Sequence, residues 1–179
     1  MNRSDRIHPR GGPHGPHMAL IATFLLAIAF PHPAGAQWKQ GAPKSAQGPE
    51  KAVAEIRAFF DEYLRLHAAK DMPAWQALFL PEAVCVRTAD DGKVIIYRPA
   101  DLAQSIAEEA AKLESQHETL EDVRIEVEGD AGAYSTLWKL YQNGEWVRQG
   151  RAWYSLVRKD GKWRIAALVW YRQSGSGVR

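Results

Sequence analysis

The sequence predicts an α+β fold, an antiparallel sheet with helices laid over it. Two observations predict it. Between Glu118 and Arg172 four strand-like segments are separated by tight turn signals. Before them, segments with apolar residues spaced three and four apart read as amphipathic helices.

The N-terminal part of the 179-residue chain reads as a leader. Ala19–Phe30 is apolar, follows Arg3, Arg6 and Arg10, and precedes the small-residue pattern Ala34-Gly35-Ala36. That layout is a secretory signal peptide over residues 1–36, with Met18 as an alternative start. The run is too short for a membrane span, which needs about 20 residues. The chain is therefore expected to be exported, periplasmic or secreted, and off the membrane once the leader is cut. His8, His14, His17 and His32 leave with the leader and are not counted as ligands. Residues 37–49, rich in Gly, Pro, Ala, Gln and Ser, read as a linker, and residues 173–179 as a flexible tail.

Residues 50–172 are then one domain, long enough for a real core. Losing residues 1–36 removes three of the 23 basic and one of the 21 acidic residues, leaving 20 of each. A balanced chain without a basic run points away from nucleic acid. Cys85 is the single cysteine, so no intramolecular disulfide forms. It lies in an apolar run with no activating Ser or His-Asp arrangement nearby, which favours burial over nucleophilic chemistry.

The first helix opens at Pro49-Glu50 and runs to about Lys70. Its inward stripe is Val53, Ile56, Phe59/Phe60, Tyr63 and His67. Tyr63 and His67 stand one turn apart on that stripe, as core filling or as a hydrogen-bond donor with a general acid or base. Asp71 caps a second short helix, Pro73–Leu80, with Pro early in it. Trp75, Leu78 and Phe79 plug one end of the core. Ala83–Thr88 and Val94–Arg98 form a small hairpin, in which Asp90 and Asp91 are turn residues. The third helix starts at Pro99 with Leu102, Ile106, Ala110 and Leu113 inward. Glu108, Glu109, Lys112 and Glu114 read as solvated, and His117 as exposed in a polar loop.

The sheet follows as Leu120–Glu128, Ala133–Gln142, Glu145–Lys159 and Lys162–Arg172, rich in Val, Ile, Tyr and Trp. Asn143-Gly144 and Asp160-Gly161 are two-residue hairpin turns. Such turns set Leu137 opposite Gly150, Ala133 and Ala167 opposite Tyr154, and Ala152 opposite Val169. One face is then Ala133, Ser135, Leu137, Gly150, Ala152, Tyr154, Leu156, Trp163, Ile165, Ala167, Val169 and Tyr171. It is the smoother face and is assigned to the helices and any pocket. The other carries Trp138, Trp153 and Trp170 among Arg residues and suits a sheet-to-sheet homodimer.

The order helix, short helix, hairpin, helix, meander, with Ala68-Ala69-Lys70-Asp71 after the first helix and Gly161-Lys162-Trp163-Arg164-Ile165 in the last hairpin, resembles the nuclear transport factor 2-like (SnoaL-like) superfamily. The resemblance covers about Glu50 to Tyr171. It implies a curved antiparallel sheet wrapped around three N-terminal helices, a single-domain cone with a pocket at one end. Members include isomerases, dehydratases, cyclases, hydrolases and non-catalytic binding or assembly domains, and many are dimers. The steroid isomerase branch carries a Tyr eight residues before an Asp, and Tyr63 stands eight before Asp71. Where that branch has its base, this chain has Arg87, whose guanidinium cannot abstract a proton. No carboxylate falls near Trp153–Ser155, where its second oxyanion donor stands. The dehydratase branch uses pocket His residues and an acid, and His67 is the one inward His.

The expectation is a small, partly apolar ligand held by Tyr63, His67, Tyr97 and Tyr154, with Arg87 and Arg148 at a mouth that favours an anionic end. The alternatives are an isomerase, dehydratase or hydrolase using Tyr63 and His67, and an assembly module with a filled cone. No metal-ligand spacing and no Gly-rich phosphate loop occur, so no metal or cofactor is expected.

Overall fold

The two hairpin turns adopt the backbone their sequences require. Asn143 and Gly144 have φ of 50° and 82°, and Asp160 and Gly161 have φ of 52° and 72°. In this computed structural model, which describes Gln40 and residues 44–174, those turns join the last three of seven strands. The elements are β1 (Ser45–Gln47), α1 (Glu50–Ala68), α2 (Met72–Gln76), β2 (Phe79–Ala89), β3 (Val94–Tyr97), α3 (Pro99–Ala110), β4 (Gln116–Glu128), β5 (Ala131–Gln142), β6 (Glu145–Lys159) and β7 (Lys162–Ser174). All described residues fall in one compact unit, residues 36–179. The expected leader and the outer part of the tail lie outside the described residues.

The strands form one open, curved sheet in the order β1-β4-β5-β6-β7-β2-β3. The β4 to β7 meander and the β2–β3 hairpin are antiparallel. Two pairings depart from the expected all-antiparallel sheet: β2 runs parallel to β7, and β1 parallel to β4. β1 falls inside the stretch read as a linker, where Ser45 to Gln47 pair with Arg124 to Glu126. Three exposed residues carry no burial signal, so composition alone misreads them.

Two bulges overturn the expected faces. In β6, Tyr141 pairs with Trp146 and Leu140 with Arg148, so Val147 is extra. In β7, Leu156 pairs with Ile165 and Ser155 with Ala167, so Ala166 is extra. One extra residue shifts alternation by one and exchanges the faces beyond it. Gly150 therefore faces Trp138 instead of Leu137, and Ala152 faces Trp170 instead of Val169. Tyr134, Thr136, Trp138 and Leu168 are buried on the helix side, while Val169 and Tyr171 are exposed. Of the three outer tryptophans expected, only Trp153 is outside.

The core is the sheet's concave face closed by α1. Ile56, Phe60 and Leu64 are fully buried. Phe60 stacks on Tyr134 at 3.6 Å between ring centroids and meets Tyr154 edge-on at 4.8 Å. α1 ends at Ala68 and the chain reverses at Lys70, which takes φ of 59°, while the Asp71 N–H donates to the Leu66 carbonyl at 3.0 Å. Asp71 then caps α2, accepting from the Ala74 N–H at 3.1 Å. This tight reversal sets Trp75 and Phe79, both buried, against the end of the core.

Candidate functional site

The helix period places Tyr63 and His67 on the concave side, and the sheet brings the other expected residues to them. All six, Tyr63, His67, Arg87, Tyr97, Arg148 and Tyr154, line one cavity of about 120 Å³. Its wall also includes Trp75, Trp138, Leu140, Leu168 and Trp170, so aromatic and apolar side chains share the cavity with polar ones.

Two polar groupings interrupt that wall. At the inner one the Tyr154 hydroxyl donates to the Tyr63 hydroxyl at 3.5 Å. Burial pushes both phenols above their ordinary range, with the nearby Glu118 carboxylate adding to it. Both stay protonated at neutral pH, and with Tyr154 donating to Tyr63 it is the Tyr63 O–H that can donate to an oxygen in the cavity. His67 is 3% exposed. Its Nε2 lies 3.3 Å from the Gln116 amide nitrogen and 4.0 Å from Glu118 Oε1. The amide N–H donates, so a neutral His67 accepts at Nε2 and carries its proton at Nδ1. Nδ1 is buried and has no partner among the described residues. The Glu118 carboxylate is the acceptor to which an Nε2–H would turn.

The second grouping is at the rim. Arg148 pairs with Glu109 at 2.7 Å, and the Gln142 amide donates to the same carboxylate oxygen at 3.0 Å. Burial alone would raise the Glu109 carboxyl, but these two bonds hold it below the ordinary range. Arg87 lies over the Tyr97 ring at 5.9 Å, and Tyr97 stacks with Trp170 at 6.0 Å and 26°. Arg172 also lines the cavity. Burial lowers its guanidinium, and repulsion from Arg148 and Arg87 lowers it further.

Sequence reasoning missed Gln116, Glu118, Glu109, Arg172, Trp138 and Trp170. Glu118 and Gln116 were legible: they continue the inward alternation back from Leu120, had the strand been extended past it. Glu109, expected in solvent, is half-buried against Arg148. His117 lies on β4, not in an exposed loop, half-buried and stacked on Tyr141 at 4.7 Å. Cys85 is fully buried, and burial pushes its thiol up to about 11. Among the described residues no group of three His, Cys, Asp or Glu is placed to hold a metal ion.

No curated protein matches the chain. Solved structures do, at identities that speak for fold alone. Aln2 from a Streptomyces species aligns with a TM-score of 0.59 at 16% identity, over 70% of this chain and 94% of that one. An NTF2-like protein with a cystatin-like fold from Novosphingobium aromaticivorans gives 0.53 at 16%, over 70% and 82%. A candidate dehydratase of the NTF2-like family from Streptomyces avermitilis gives 0.57 at 16%, over 72% and 99%. The family model of the SnoaL-like domain matches residues 51–169. With that match over the helices and the meander, the chain belongs to the SnoaL-like domain family of the nuclear transport factor 2-like superfamily.

Proposed function

We propose that this chain is an exported domain that binds a small, partly apolar molecule in the concave cavity. One observation carries the reading. An aromatic wall and a few convergent polar groups, the Tyr63 and Tyr154 hydroxyls, His67 and Gln116, meet on the same open space. Apolar walls with a few placed polar groups are what small-molecule sites have in common. The leader expected over residues 1–36 supports export. Among the described residues no helix is long and apolar enough to cross a membrane.

The test is a ligand panel read by thermal unfolding. A ligand at 100 times its Kd adds about 2.7 kcal/mol to stability. Ring compounds with one polar end should raise Tm in the wild type and not in Ala152→Leu, which fills the cavity floor. Shifts that are equal in both proteins would sink the reading.

A second reading is favoured by Glu118. A carboxylate 4.0 Å from His67 Nε2 supports a proton-transfer enzyme of isomerase or dehydratase type, with His67 as acid or base and Tyr63 as donor. The structural neighbour named a candidate dehydratase is consistent with this reading. Arg87 lines the cavity but cannot take the base role that its position holds in the steroid isomerases. If Glu118→Gln keeps full turnover on a substrate found by the panel, this reading fails.

The outer face supports a homodimer, with Trp153 kept from the expected set and Val169 and Ile96 in place of Trp138 and Trp170. Trp153 pairs across strands with Val169, Val169 with Val86 and Val86 with Ile96. Trp153, Val169 and Ile96 are exposed, at 47%, 41% and 69%. An apolar row of this kind on a soluble surface suits a partner. Sedimentation should give twice the chain mass, and Trp153→Arg should halve it. A wild-type monomer at micromolar concentration would remove the proposal.

A further inference from the structure

The rim holds more positive charge than the fold uses. We infer that Arg87, Arg148 and Arg172 form an oxyanion subsite that takes the carboxylate of an organic acid with a flat apolar body. This deepens, and rests on, the reading of the cavity as a small-molecule site.

Three strands deliver the three guanidinium groups to one end of one cavity. Arg87 pairs across strands with Trp170, and Arg172 with Gly150, two residues from Arg148. Arg172 therefore sits between the other two, which explains their repulsion on it. Of the two carboxylates that line the cavity, Glu118 lies by His67 and Glu109 answers the arginines, bound to Arg148. Among the described residues neither Arg87 nor Arg172 has an ion pair within 4.0 Å. The local charge is three positive against one negative, partly out of water. Gathering like charges there costs stability unless an anion completes the set.

Surrounding geometry favours a bidentate, planar group on a flat body. Guanidinium presents two parallel N–H donors that match a carboxylate. Tyr97 holds Arg87 beneath it and stacks with Trp170, so a flat wall adjoins the charge. Gly150 lets its cross-strand neighbours pack close, with Trp138 opposite it on one side and Arg172 on the other. A Cβ there would lie 2.9 Å from Trp138 Cζ2 and 1.8 Å from the Tyr171 carbonyl oxygen. The acid's apolar body then lies along the aromatic wall, with its far end toward Tyr63 and His67.

The test titrates the full chain with benzoate and 2-naphthoate, their neutral amides, and phenyl phosphate, by calorimetry at fixed ionic strength. The carboxylates are expected to bind at least tenfold more tightly than the amides, as loss of one charge-assisted bond implies. Arg172→Gln and Arg87→Gln should erase that preference, weakening the carboxylates at least tenfold and the amides by less, and Arg172→Lys should restore part of it. Circular dichroism identifies any variant that does not fold, and the remaining variants carry the test. Equal binding of acids and amides overturns the subsite and leaves the cavity reading standing. Tighter binding of phenyl phosphate than of either carboxylate overturns the carboxylate assignment. No binding by any probe overturns both.

Discussion

Replacing His67 by Phe separates a site residue from a core residue. His67 is 3% exposed, so ordinary reasoning makes any change costly. The contacts argue otherwise. Nδ1 is buried without a partner among the described residues, and a buried unsatisfied N–H costs about 1–3 kcal/mol, which Phe removes. Phe also leaves the buried Gln116 amide without its 3.3 Å partner, which costs about 1–3 kcal/mol, so the two effects offset. Ring volume is nearly kept, and the adjoining cavity absorbs the difference, so no void term arises. The sum places His67→Phe within about 1 kcal/mol of wild type. His67→Ala empties the ring's place against Trp75 and should lose about 2–4 kcal/mol. Urea unfolding followed by tryptophan fluorescence measures both. Ligand affinity or turnover should fall at least tenfold in each variant. If the Phe variant loses as much stability as the Ala variant, the imidazole contacts hold the fold together, and the reasoning is refuted.

Gly150→Ala should destabilise by about 1–3 kcal/mol or more, because its Cβ would collide with the Tyr171 carbonyl; a melt within 1 °C of wild type would contradict the row geometry. Cys85 should resist a thiol reagent at pH 8 in the native protein and react on unfolding, since its thiol is buried and raised to about 11. Asp122 is held down to about 2, first by Lys44 and then by Arg151, at 2.8 and 2.7 Å. Its folded value lies below the unfolded one, near 4. The stability it contributes is therefore present above pH about 4 and is lost as pH falls toward 2. Acid unfolding of Arg151→Ala should show a shallower fall over that window, and an unchanged slope would count against the pairing.

The sequence carries the element order because turn chemistry and the two periodicities are local signals. Asn143-Gly144, Asp160-Gly161 and the Asp71 cap each act within a few residues. The pairing of β2 beside β7 and the bulges at Val147 and Ala166 depend on contacts between distant residues. That is why simple alternation points Trp138 and Trp170 outward while both lie inward. The candidate site divides the same way. Tyr63 and His67 follow from helical spacing alone. Their approach to Glu118 and Gln116, and the meeting of Arg172 with Arg87 and Arg148, arise only when the sheet closes over α1.

The central claim is that the cavity holds a small molecule, and native mass spectrometry of the chain purified from its own host tests it most directly. The account predicts an added small mass that stays under mild ionisation, is released on unfolding, and is missing from Ala152→Leu. The same adduct on both proteins, or none on the wild type, would contradict it.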